Sequence, residues 1–456
     1  MLPDTFWTLA RRYIAMDTSV QNGNAAVEAF VSEAMATFAL KPKITVQRGA
    51  HAGKPQVNVL ASFGPAGDGG LLLVTHSDTV PPGPLERWTK GPPHTLTRDG
   101  DTVIGLGVAD VKLDYLCKAL ALSQIDLGAL KKPVHLLATH SEEVGLVGAK
   151  AFAAADLCKP EWALCGEPSE LVPCHAHKGY AVSKVTVRAQ TTTAIAATHR
   201  IEITGKAAHS STPHLGVNAI DRLAAWIASD PKLQLTWVRG GSSPNTVPAS
   251  AQAFVRGVSG AHPVESHVSE LLHEERGVDL RPAFDALVSL WSEWQALAQA
   301  FEPASDAEFD PARVVCNFGV LASDGGALSA TFDARLLPVH DPMELHARFA
   351  EKVALVKGAE ASVERAAPGM KSATDSPLLS ALCACVRELG MPEKAQPRAK
   401  ATSTEAGVFA RKGINAAVFG PGVSVQNAHT PNEWNRVTDL ERAVQVYTRL
   451  IRKLCA

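Results

Sequence analysis

The sequence predicts an α/β protein: a mixed, mostly parallel sheet with flanking helices, interrupted by an inserted α+β domain. Three observations lead there. Residues 1–179 alternate short apolar runs with helical spacing. From Tyr180 to residue 366 the runs alternate apolar with polar instead. After residue 367 the first texture returns. Continuous apolar runs suit parallel strands buried on both faces, whereas alternation suits strands with one solvated face.

The elements follow in order. LLLVT (71–75) ends at His76, VHLLAT (134–139) ends before His140, and WALC (162–165) precedes Gly166 and Glu167. Between them, VKLDYLCKALALSQI (111–125) has helical spacing and follows Asp110, a residue suited to cap a helix N-terminus. In the middle segment, VSKVTV (182–187), HRIEIT (199–204), SAQAFVRGV (250–258) and ALSATFDARLL (327–337) read as half-buried strands. GVNAIDRLAAWIAS (216–229) reads as an amphipathic helix, and residues 260–305 as a mostly helical insertion. In the last segment, SPLLSALCACVRELG (376–390) is a helix, NAAVF (415–419) a strand, and ERAVQVYTRLIRKL (441–454) a closing helix.

Bulk properties narrow the function. With 456 residues the chain exceeds what one core usually supports, so two domains are expected. The net charge of −2 leaves no electrostatic footprint for nucleic acid or an anionic membrane. No apolar run approaches the ~20 residues needed to span a bilayer. The N-terminus lacks the basic-then-apolar layout of a signal peptide. The eight cysteines have no framework spacing and mostly lie in apolar stretches, so a reducing, cytoplasmic setting is expected.

His76, Asp110, Glu142 with Glu143, Glu167 and His429 stand where chemistry is expected, each near a strand end or a helix start. Ligands of open α/β sheets bind beyond the carboxyl ends of the strands, so one sheet edge could gather them all. Imidazoles and carboxylates without thiolates suit a catalytic Zn²⁺, and also Co²⁺ or Mn²⁺. Glu142 and Glu143 adjoin; one carboxylate on a metal and the other beside it would supply a general base. Singly, each residue has a plainer reading: a surface turn for His76, a helix cap for Asp110, solvated charges for the glutamate pair, a turn acid for Glu167, a loop histidine for His429. GLGVAD (105–110) lacks the third glycine of a dinucleotide fingerprint. Ser210 or Ser211 with His209 has no acid partner and no nucleophile elbow.

Longer stretches carry a resemblance. THSDTVPPGPLERWTKGPPHTLTRDGDTVIGLGVADVK (75–112), LKKPVHLLATHSEEVGLVGAKAF (130–152), CGEPSELVPCHAHKGY (165–180), GKAAHSSTPHLGVNAI (205–220), PNTVP (244–248), FDARLLP (332–338) and FGPGVSVQNAHTPNEW (419–434) run in order over nearly the whole chain. Together they resemble the M20-type dinuclear zinc peptidases and deacylases. STEA (403–406) and the GPG followed by QNAHTPNE are most similar to the acetylornithine deacetylase branch.

The resemblance implies two Zn²⁺ per subunit, with Co²⁺ or Mn²⁺ as substitutes. His76 and Glu167 would hold one ion, Glu143 and His429 the other, and Asp110 would bridge them. Asp78 would orient His76, and Glu142 would be the general base. The inserted domain would act as a lid and pair two subunits into a homodimer, so that His209 of the neighbouring subunit stabilises the oxyanion. Arg335 and Asn245 would hold the substrate α-carboxylate, and Glu405 would face a cationic side chain. The implied reaction removes an acyl group, acetyl first, from an amino acid such as N-acetylornithine. A dipeptidase or carboxypeptidase of the same family is the alternative, and from another class an inactive binding relative. Ser141 stands where the family has aspartate, Leu106 where it has arginine, Val111 methionine and Leu113 glycine. None is an implied ligand, so these departures bear on packing and substrate choice.

Overall fold

The structure, a computed structural model, describes residues 1–258 and 264–456. They form two compact units, residues 1–177 with 369–456 and residues 178–368. The divisions lie close to the changes of texture at Tyr180 and after residue 366.

The first unit carries a nine-stranded sheet. Its order is Lys43–His51, Lys54–Phe63, Val134–Thr139, Leu71–His76, Trp162–Cys165, Asn415–Val418, Cys174–His177 and Met370–Lys371. Arg398–Lys400 also pairs with Cys174–His177. The four central strands run parallel. Residues 71–76, 134–139 and 162–165 are buried throughout, which is why they read as unbroken apolar runs. The antiparallel hairpin Lys43–Phe63 forms one edge.

Helix Lys112–Ser123 is buried through residue 122 and packs with Val437–Cys455 in the core below the sheet. A helix apolar nearly all round must be enclosed. Each large aliphatic side chain sunk here contributes about 1.5–3 kcal/mol. The expected Asp110 cap does not form: the cap position is Val111, with no side-chain hydrogen bond. Asp110 turns its carboxylate to two histidines instead.

The second unit is an eight-stranded antiparallel sheet. Its order is His267–Val278, Ala194–Thr204, Ser250–Arg256, Gln234–Gly240, Val315–Asp324, Ala327–Leu336, Gly179–Arg188 and Ala359–Ala367. Helices Ala219–Ala228, Arg281–Gln299 and Pro342–Ala354 belong to the same unit. Trp291, Trp294, Phe318, Phe332 and Phe349 interlock edge-to-face or tilted between helices and sheet. The stretch 260–305 departs from expectation. Residues 260–263 lie outside the described residues, and the rest divides into strand His267–Val278 and helix Arg281–Gln299. The strand is at a sheet edge and mostly exposed, so its histidines, glutamates and arginine protect an open edge while reading like a solvated helix. Among the described residues no helix is long and apolar enough to cross a membrane.

Candidate metal centre

The first unit gathers its chemistry where the parallel strands end. His76 is the last residue of Leu71–His76, Glu142 and Glu143 follow Val134–Thr139, and Glu167 follows Trp162–Cys165. His429 departs from the expected pattern. It sits in a turn well beyond strand Asn415–Val418, at a left-handed φ of 62°. Such a conformation in a non-glycine residue persists only where its surroundings enforce it. Asn427 provides that: its side-chain amide donates to the carbonyls of Val423 at 2.9 Å and Trp434 at 2.8 Å.

Asp110 is the hub. One carboxylate oxygen lies 3.1 Å from His76 Nε2 and the other 3.2 Å from His429 Nε2. His429 Nε2 also lies 3.0 Å from Glu143. The potential ligand atoms of Asp110, Glu143 and His429 all fall within 4.8 Å of one another, as do those of His76, Glu142 and Glu143. His76 Nδ1 faces the Asp78 carbonyl at 3.0 Å, which can only accept, so Nδ1 carries a proton, while Nε2–H donates to Asp110 at 3.1 Å. Burial works against a charged ring, yet the hydrogen bond to Asp110 and the charge of Glu142 hold its pKa well above the ordinary value.

Asp78 orients His76 through that carbonyl; its carboxylate lies farther, at 3.8 Å. The carboxylate instead accepts the backbone N–H groups of Glu142 at 3.0 Å and Glu143 at 3.2 Å. One residue thus fixes a histidine and both glutamates.

Electrostatics describe a centre short of positive charge. Burial works against an ionised Asp110, yet hydrogen bonds from His429 and His76 hold its carboxyl far below the usual range. Glu143, and then Asp110, push His429 up to about 12 despite burial. Burial, then the charge of Glu167, raises Glu142 well above an ordinary carboxyl. Burial lifts Glu167 to about 7, against Lys400, whose ammonium lies 3.8 Å away. Carboxylates crowded out of water around two imidazoles are a donor set that hard or borderline divalent cations fit. Cys165, below Glu167, offers no thiolate, because burial and then Glu405 push its thiol well up.

Glu405 precedes helix Ala406–Arg411 and is 3 % exposed, so it is no solvated loop acid. Burial lifts it to about 7, against the pull of His76 and a side-chain hydrogen bond from Thr139.

The remaining candidates lie in the second unit and converge there. The Ser210 N–H donates to the Asn245 carbonyl at 2.9 Å, and His209 bridges Thr246. The buried Arg335 donates to Ser210 Oγ at 2.8 Å and to Asp333 through Nε at 3.1 Å and Nη2 at 2.9 Å. Its guanidinium stands 5.2 Å from the Tyr180 ring centre. His209 is exposed. Its Nδ1 accepts the Ser211 N–H at 3.1 Å, which leaves the ring proton on Nε2.

One contributor escaped sequence reasoning. Glu433, 1 % exposed, accepts the backbone N–H groups of Gly107 at 3.2 Å, Ala109 at 2.8 Å and Asp110 at 3.0 Å. It therefore occupies the amides that a nucleotide phosphate would need in GLGVAD, and it fixes the backbone at the hub. Its signal was the NEW triplet just after His429.

The sequence profile described as peptidase family M20/M25/M40 matches residues 72–453. An acetylornithine deacetylase of Vibrio cholerae is 28% identical over 422 residues, covering 87% of this chain and 84% of that protein. One from Proteus mirabilis is 35% identical over 239 residues, 48% of this chain and 56% of that protein. Among solved structures, aminoacylhistidine dipeptidase from Vibrio alginolyticus superposes with a TM-score of 0.67 at 20% identity, covering 99% of this chain and 97% of that one. An M20 family metallo-carboxypeptidase from Sulfolobus solfataricus gives 0.62 at 17% identity, with 99% of each chain covered.

Proposed function

From the premise that the chain belongs to peptidase family M20/M25/M40, we propose that it is a metal-dependent amidohydrolase that removes an N-acyl group, acetyl first, from an amino acid. The observation that carries this reading is Asp110, whose carboxylate oxygens each face a different histidine with Glu142 and Glu143 alongside. A carboxylate so divided suits a bridge between two ions. His76 and Glu167 would hold one, Glu143 and His429 the other. Zinc is the expected metal, with cobalt or manganese as substitutes. N-acyl amino acids such as N-acetylornithine are favoured as substrates by the extended similarity to the Vibrio cholerae acetylornithine deacetylase.

When bound, the ions supply Lewis acidity and lower the pKa of water at the site. The protein's own part begins with Glu142, the base that takes the proton of the attacking water and returns it to the departing amine. Its neighbour Glu143 pairs with His429 at 3.0 Å. His209 of a neighbouring subunit offers its Nε2–H to the developing oxyanion, a contribution of roughly 3–4 kcal/mol. Arg335, pre-oriented by Asp333 and helped by Asn245, binds the substrate α-carboxylate. Glu405, a buried acid, would face the cationic side chain.

The test is amine release from N-acetylornithine, N-acetylcitrulline, N-succinyl-diaminopimelate and simple dipeptides in parallel. Release from the N-acetyl amino acids is the expected result. Release from dipeptides alone would replace the reading with a peptidase, and no release from any would remove it.

A further inference from the structure

Beneath the centre lies a charged pair that the proposed reaction does not use. Asp114 and Lys118, one turn apart on helix Lys112–Ser123, are almost wholly buried and meet at 2.6 Å. Every polar atom of the pair is committed. Lys118 Nζ also donates to the Val74 carbonyl at 2.6 Å and to Thr75 Oγ1 at 2.9 Å. Thr75 donates in turn to Asp114 Oδ2 at 2.9 Å. Tyr447, from the closing helix, donates to Asp114 Oδ1 and lies 3.3 Å from the Phe419 carbonyl.

These partners are the ends of three parallel strands. Val74 and Thr75 immediately precede His76. Gly166 immediately precedes Glu167, and a Cβ there would stand 2.0 Å from Asp114 Oδ2 and 2.6 Å from Lys118 Nζ. Phe419 leads into Gly420, where a Cβ would meet the Glu167 carbonyl at 2.6 Å. The pair is wedged against the backbone just before two candidate ligands.

Stability does not account for it. Replacing a buried ion pair by apolar side chains is often neutral or favourable, because desolvation offsets the Coulomb attraction. What a fully satisfied polar network provides is one fixed geometry. We propose that Asp114 and Lys118 are positioning residues: their buried pair fixes the strand ends bearing His76 and Glu167, and thereby sets the affinity of the metal position those two residues form. This rests on the two-metal reading above.

Metal-free protein titrated with Co²⁺, followed by its visible absorption and by calorimetry, tests the proposal. Asp114→Asn, Lys118→Met and Tyr447→Phe are compared with Met35→Ala, a core truncation in helix Val27–Thr37. The first two should weaken one of the two Co²⁺ equivalents by roughly 10–100-fold, the range for partners that orient ligands, and Tyr447→Phe by less. Met35→Ala should lower the urea midpoint and keep both affinities within about twofold. The double variant Asp114→Leu with Lys118→Met should regain stability without regaining affinity. The proposal is overturned if the three pair variants bind both ions within about twofold of the parent, or lose no more affinity than Met35→Ala. Should Asp114→Asn not fold, Tyr447→Phe decides by the same criterion. A parent protein that takes up no Co²⁺ would instead strike down the two-metal reading.

Discussion

The Glu433 carboxylate accepts the backbone N–H of Asp110 at 3.0 Å. It holds the hub of the centre by its main chain, leaving the Asp110 side chain free to face two histidines. Truncation to alanine would leave three buried amides without an acceptor. Glu433→Ala should therefore lose about 1–3 kcal/mol of unfolding free energy, and metal affinity should fall roughly 10–100-fold. Glu433→Gln, which keeps an acceptor, should lose less of both. Urea unfolding and metal titration of the two variants check this ordering.

Glu142 is the proposed base, and its amide variant separates binding from proton transfer. Glu142→Gln should keep the parent's metal content while kcat falls about 10²–10⁴-fold. Metal analysis beside steady-state rates reads both. Turnover near the parent's would move the base elsewhere.

Arg335 is fastened to Asp333 and Ser210 before any substrate arrives. Nε and Nη2 are occupied, so Nη1 is left for the carboxylate, and loss of a charge-assisted hydrogen bond costs about 1.5–3 kcal/mol. Arg335→Met should raise KM for an acyl amino acid roughly 10–100-fold, with a smaller change in kcat. Its effect should shrink on substrate amides lacking the α-carboxylate. An equal KM rise on both substrate types would assign Arg335 to the fold alone.

His346, in the second unit, supplies a pH test away from the metal centre. It is 5 % exposed beside Ser183 and Trp294, and burial lowers its pKa from 6.5 to about 4. Between those values the unfolded chain binds more protons than the folded one, so stability rises with pH. The contribution is complete above pH 6.5 and is lost as pH falls toward 4. The full loss is about 3 kcal/mol, on the scale of 1.36 kcal/mol per pKa unit. Replacing His346 with leucine should flatten the dependence of the urea midpoint between about pH 4 and 6.5. An unchanged slope would mean that His346 protonates in place.

How much of this was legible in the sequence depended on burial. Leu71–His76, Val134–Thr139 and Trp162–Cys165 were read with nearly correct bounds because strands enclosed on both faces leave continuous apolar runs. His76, Glu143 and Glu167 were legible because they end or follow those runs, whereas His429 sits in a turn well beyond its strand. Strand His267–Val278 was not, since an exposed edge carries charge instead of periodicity. The Asp110 cap failed because one sequence position fits two roles, and the histidines that decide between them arrive from distant segments. Glu433 acts on the backbone of Gly107, Ala109 and Asp110, more than 300 residues away along the chain, and Asp78 holds the backbone of Glu142 and Glu143, partners that no local pattern reveals. The burial of Glu405 is a tertiary fact that its local sequence does not carry.

The most direct test of the two-metal centre is a count of ions per chain. After exposure to Zn²⁺ and removal of the excess, mass spectrometry should find two ions in the parent and at most one in Asp110→Ala, since the bridge serves both positions. A parent chain retaining fewer than one ion, or an Asp110→Ala chain retaining two, would contradict the account.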